Sequence, residues 1–183
     1  MEQIQCWLIT ILDKVVLATL VGLITSGIFL YILSRFRPTI DISPEIACGA
    51  DTTDGRAIYR IKVINRTKAP IVDIKAQLHI FKNHQTATGE IWKSKPIALR
   101  RSDPIVIDKY DRSDRDANYA YRFVTYDDLE AIWHNDNVQF IRFRIYARHS
   151  ISGFGVFAYK DYRLKRHSIK AGEFSKGDTF EIK

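Results

Sequence analysis

From Val15 to Leu33 the chain reads VVLATLVGLITSGIFLYIL, 19 consecutive residues without a charge. At about 1.5 Å of rise per residue such a run makes a helix of roughly 28 Å, close to the hydrocarbon thickness of a bilayer. The pattern therefore predicts an N-terminal transmembrane helix. A secretory signal peptide would carry a shorter apolar core followed by a small-x-small cleavage site, whereas this run ends in Tyr31-Ile32-Leu33-Ser34-Arg35-Phe36-Arg37-Pro38, an aromatic interface followed by a basic stop. A helix buried in a protein core is the competing reading. Upstream, Ile4, Trp7, Leu8, Ile11 and Leu12 fall at helical spacing, which predicts an amphipathic helix over Met1 to Lys14. It either lies on the membrane surface or continues the span.

After Pro38 the period changes from that of a helix to two. Strands are predicted at Thr39 to Ile46, at Ala57 to Asn65, and most cleanly at Ile71 to Lys82, where Val72, Ile74, Ala76, Leu78 and Ile80 alternate with Asp73, Lys75, Gln77 and His79. Gly49 to Gly55 reads as a polar turn and Asn83 to Gly89 as a loop, with a weaker strand from Ile91 to Leu99 interrupted at Pro96. Further strands are expected at Ala117 to Val124, Val138 to His149, Phe154 to Arg166 and Thr179 to Ile182. One short helix is expected from Thr125 to Trp133, capped by Thr125. The fold class that follows is mainly β: a membrane segment over residues 1–37, then an antiparallel β-sandwich or barrel, immunoglobulin-like in outline, over residues 38–183.

Charge adds a location. Leaving out Glu2, Asp13 and Lys14, the chain after the membrane run holds 27 Lys and Arg against 19 Asp and Glu, a net +8. Arg35 and Arg37 follow the run with no acid beside them, so the positive-inside bias places the β-domain in the cytoplasm, in a bacterium at the inner membrane. A basic domain on that surface is drawn to anionic lipid, nucleic acid or nucleotides. Cys6 and Cys48 lie on opposite sides of the run, so no disulfide framework is expected.

Enzyme motifs do not emerge. There is no GxSxG, glycine-rich phosphate loop or HExxH, and the reading is of a protein that is not an enzyme and needs no cofactor. His79, His84, His134, His149 and His167 are scattered without cysteine partners. The charged run Asp108 to Asp116 lacks the glycine turn and closing glutamate of a calcium loop, so no metal is expected.

The constellation that stands out is a basic and aromatic ribbon: Arg142, Arg144, Tyr146 and Arg148 on one strand, and Lys160, Tyr162, Arg163, Lys165 and Arg166 on the next. If the two strands pair as a hairpin, alternate side chains converge on one face, where guanidinium forks can hold phosphates and rings can stack on bases. The competing reading is a solvated outer face, or one resting on anionic lipid. In the membrane run, Ala18, Gly22 and Ser26 recur every four residues, a small-xxx-small face suited to close helix packing and hence to a homo-oligomer.

The segments RPTIDISPEIA, YRIKVINRTKAPIVDIKAQLHIFK, YAYRFVTYDDLEAIW and FIRFRIYARHSISGFG resemble small bacterial single-pass membrane proteins with a β-rich cytosolic domain. The overall plan is also similar to the membrane effectors of nucleotide-signalling anti-phage systems, such as the β-barrel effectors of CBASS and the Hailong membrane effector. That resemblance implies an oligomer that senses a nucleotide or short oligonucleotide, made by a partner nucleotidyltransferase, and then disturbs or gates the bilayer. The alternative is a membrane-anchored interaction or adaptor module without a pore.

Overall fold

The computed structural model describes residues 2–51, 55–87 and 89–183; for residues 2–12 and 34 it describes the backbone alone. Helix α1 (Glu2–Ser34) forms one unit and Pro38–Lys183 another. Within α1, Asp13–Leu33 is long and apolar enough to cross a membrane, and none of it is buried by the chain itself. Its two threonines do not oppose that environment: Thr19 and Thr25 donate their hydroxyls to the carbonyls of Val15 and Val21, each at 2.8 Å, which satisfies a polar group inside the helix that carries it. Of the two arrangements left open for the residues before Val15, the helical continuation is the one seen, since α1 runs through Lys14 unbroken. The amphipathic face proposed for Met1 to Leu12 lies outside the described side chains.

The second unit is mainly β, and its described residues form ten strands in two sheets. In the first sheet, β3 (Ala57–Asn65) pairs with β1 (Ile40–Ile42), β2 (Ile46–Ala50) and β7 (Ala120–Thr125), all antiparallel. The short β10 (Ile169–Ala171) joins β2 in parallel, a departure from the antiparallel expectation. The second sheet has the order β5 (Gly89–Ile97), β4 (Ile71–Thr86), β8 (Gln139–His149), β9 (Gly155–Tyr162), with β6 (Val106–Ile107) on the other end of β4.

The core forms where the alternating apolar faces meet. Tyr59, Ile61, Val63 and Phe123 come from the first sheet, and Ile74, Leu78, Ile80, Ile141, Phe143 and Ile145 from the second. Phe123 meets Phe143 with ring centroids 5.2 Å apart. Burying each such side chain stabilises the fold by about 1.5–3 kcal/mol.

Several boundaries differ from the sequence reading for local reasons. Residues Asn83 to Thr86 are not a loop but the continuation of β4, paired with β5 down to Thr86 opposite Gly89. Helix α2 is only Leu129–Ile132, because Asp128 rather than Thr125 caps it: the Asp128 carboxylate accepts from the Ala131 amide, while Thr125 is buried in β7. Strand β9 stops at Tyr162, and the basic run beyond it turns into the short α3 (Lys165–Ser168). The last expected strand is a single bridge, Phe174 to Ile182. Of the polar turn Gly49 to Gly55, Ala50 ends β2, and residues 52–54 lie outside the described residues.

Candidate nucleotide-binding face

Strand register decides which side chains share the outer face of the second sheet. Directly opposite residues point to the same side, and the β8–β9 pairs are Arg142 with Asp161, Arg144 with Tyr159, Tyr146 with Phe157 and Arg148 with Gly155. The β9 members of this face are therefore Phe157, Tyr159 and Asp161. Lys160 and Tyr162 sit one residue out of phase, opposite Phe143 and Ile141, and turn toward the core. Tyr162 is buried and its hydroxyl donates to the Ser43 carbonyl at 2.9 Å. Burial pushes its phenol well above the ordinary range. The expectation that Lys160 and Tyr162 converge with the β8 arginines is thus corrected, because a one-residue phase shift moves a strand's whole side-chain set to the other face.

Lys165 and Arg166 also leave the ribbon. Lys165 donates to the carbonyls of Glu130 and Trp133 at 2.8 and 3.0 Å, closing the end of α2. Arg166 is exposed on α3, and its Nε donates to His167 Nε2. Arg163, next to Asp161 at 3.7 Å, returns to the outer face, with its guanidinium 5.5 Å from the Phe140 ring.

On β4 the same face carries Lys75, Gln77, His79 and Phe81, opposite Tyr146, Arg144, Arg142 and Phe140. The result is a field of rings and guanidinium groups. Phe81 and Phe140 stack with centroids 5.0 Å apart and planes within 5°, and Trp92 of β5 meets Phe140 edge-on at 5.2 Å. Arg142 lies 5.1–5.3 Å from the rings of Phe81, Phe140 and Tyr159. Tyr146, Phe157, Tyr159 and Trp92 are all exposed; Phe157 and Tyr159 each keep 60% of their surface. Gly155 makes room for this packing, since a Cβ there would come within 2.7 Å of the Tyr146 hydroxyl.

The three arginines of β8 are not equivalent. Arg142 grips Asp161 in a bidentate pair at 2.5 and 2.8 Å, which holds the Asp161 carboxyl below the usual carboxylate range. Arg148 donates to Asp73 at 3.1 Å and to the Gly153 carbonyl. Asp73 sits with φ 51° where β4 shifts register between Val72 and Lys75. Arg144 meets the Phe81 ring at 5.5 Å and, among the described residues, no acid within ion-pair distance, although its charge adds to that of Arg142 in acting on Asp161. Beside these arginines, His79 has a buried Nδ1 with no hydrogen-bond partner, and burial followed by the Arg144 charge lowers its pKa. Arg144 with its neighbouring rings is the part of this face able to take a phosphate and a stacked base.

The sequence ribbon missed Phe81, Trp92, Phe140, Phe157 and Tyr159. The signal for the β9 pair was a strict alternation counted back from Tyr162. In α1, Ala18, Gly22 and Ser26 are exposed, and a Cβ on Gly22 would meet nothing within 4 Å. Among the described residues, no three His, Cys, Asp or Glu side chains come together as a metal requires. Cys48 is a free thiol, and burial raises its pKa. Compared with known proteins, the sequence matches no family model and no curated protein.

Proposed function

We propose that this chain is a homo-oligomeric membrane effector of a bacterial anti-phage system. In this reading α1 spans the inner membrane, the β-domain faces the cytoplasm, and the outer face of the second sheet binds a nucleotide or short oligonucleotide made by a partner nucleotidyltransferase. The carrying observation is that face itself: Arg144 without an acid partner among the described residues, set beside the exposed rings of Tyr146 and Tyr159. Stacking contributes about 1–3 kcal/mol per base, and an arginine fork adds a charge-assisted contact to phosphate. The ligand then gates or disrupts the membrane only through a difference in affinity between two states of the assembly. The small face of Ala18, Gly22 and Ser26 supports packing of α1 against copies of itself.

The test is the full chain purified in detergent, titrated with cyclic dinucleotides and short oligonucleotides. Binding by the parent chain, and affinity reduced on the order of tenfold by R144E or Y159A, is the expected result. Equal binding by both variants removes the site. Replacing Gly22 with Leu lowers the oligomer mass in detergent if that face packs; an unchanged mass excludes it. The second reading, a membrane-anchored interaction or adaptor module without a pore, is favoured by Ile105 and Ile151, apolar and 86% and 77% exposed. Stable assemblies that bind no nucleotide support that reading over the effector.

A further inference from the structure

The opposite face of the β4–β5 hairpin carries charge of a different kind. Past Ile80, the last buried residue of β4, the inward-facing positions become Lys82 and His84, and on β5 they are Lys93 and Lys95. With His134 and Gln139 these side chains line a cleft of about 450 Å³ closed on one side by Ala131 and Ile132 of α2. No carboxylate lines it. Glu90, the acid on β5, is held on the other face, where it accepts from Asn83.

Register makes this arrangement costly in the absence of a ligand. Lys82 and Lys93 are direct cross-strand partners, and like charges placed opposite one another destabilise a sheet. None of Lys82, Lys93 and Lys95 has an ion-pair partner among the described residues. Lysines commonly guard a sheet edge against pairing with other chains, and that accounts for Lys93 and Lys95 on the edge strand β5. It does not account for Lys82. That residue lies on β4 between two strands, with Lys93 on one side and Gln139 on the other.

We propose that this cleft is a binding site for a compact, multiply charged phosphate, such as a polyphosphate chain or the triphosphate of a nucleotide. The site is separate from the arginine and aromatic face and does not depend on it. Three ammonium groups bind closely spaced phosphates as point charges. Gln139 is already committed through its Oε1 to the amides of His134 and Asn135; it fixes the cleft wall and leaves recognition to the cations. The ligand relieves the Lys82–Lys93 repulsion by placing negative charge between the two strands.

The probe is inorganic tripolyphosphate, which has no base to stack; since Arg144 can also hold a phosphate, R144E is titrated beside the cleft variant and is expected to keep the parent's affinity for it. Titrated into the full chain in detergent, it binds with an affinity that falls steeply between about 0.05 and 0.2 M salt, and it raises the melting temperature. The triple variant K82Q, K93Q, K95Q loses affinity on the order of tenfold or more and shows no ligand-induced rise, while melting without ligand at or above the parent chain. A control with the same charge change at exposed sites elsewhere, K68Q, K109Q, K176Q, keeps the parent's affinity. Three results each overturn the proposal: no binding by the parent chain, equal binding by the cleft variant, or an equal loss in the control. Capture by anionic lipid vesicles without tripolyphosphate binding also overturns it, because it assigns the lysines to a membrane surface.

Discussion

On the first sheet, Arg66 meets Asp41 at 2.7 Å and Asp178 at 3.6 Å, Arg60 meets Glu173 at 3.2 Å, and Lys62 ends on the carbonyls of Ser175, Gly177 and Thr179 at 2.7–2.8 Å. On the second sheet, Lys82 faces Lys93 and Arg144 meets a ring but, among the described residues, no acid within ion-pair distance. Both sheets contribute to the same basic domain, yet these cations of the first are consumed internally, whereas the second, beside its paired Arg142 and Arg148, also presents cations without an ion-pair partner among the described residues. Net charge alone therefore does not locate a binding site. What locates it is the set of cations whose partners the chain does not itself supply.

The sharpest way to break this comparison is at Lys62. It is fully buried, and its ammonium holds the C-terminal stretch over the outer side of β3. Burial, reinforced by Arg122, pulls its pKa down to about 8; the three carbonyls act the other way, because only the protonated form supplies three donors. K62M keeps the apolar stem and removes all three hydrogen bonds, leaving carbonyls without donors at about 1 kcal/mol or more each. The expected loss is about 3 kcal/mol, or roughly 10 °C in melting temperature for a domain of this size. Replacing the presented lysines of the second sheet costs nothing by the same measure. A loss below about 1 kcal/mol in K62M would mean that the first sheet does not rely on its cations.

That contrast also marks what the sequence could and could not disclose. Where one face is buried, alternation reads out directly: β3, β4 through Ile80 and β8 fall where their apolar positions place them. Where neither face is buried the period disappears, so the polar stretch Asn83 to Thr86 reads as a loop although it continues β4 in full pairing. Helix α1 is legible from length and lack of charge because every turn of Asp13–Leu33 faces outward. Position in the candidate site is harder. Arg142, Arg144, Tyr146 and Arg148 share a face by simple alternation, but the partner strand could be phased only by knowing that Tyr162 turns inward to Ser43. Ion pairing across strands is not encoded in either strand alone, so Arg142 and Arg144 look equal in sequence and differ in the fold.

A smaller test asks whether the presented charge of the second sheet is limited by its one strong internal pair. Asp161 is mostly buried, and its bidentate contact with Arg142 depresses its pKa, chiefly through the hydrogen bonds from that arginine. D161N removes the charge but keeps the shape, and it costs about 1–2 kcal/mol of stability at neutral pH. The sign with pH follows from the depressed value. The advantage of the parent chain over D161N is complete above the ordinary carboxylate range, near 3.8, and is lost as pH falls through the lower folded value. Asp111, Asp114, Asp128 and Asp178 are depressed as well, so the measurement is the difference between parent and variant melting curves across that acid range. At neutral pH the variant also frees Arg142 beside Arg144, and affinity for an oligonucleotide is expected to rise by about threefold. A fall in affinity would instead mean that Asp161 positions Arg142 for the ligand, and that the pair works as part of the face.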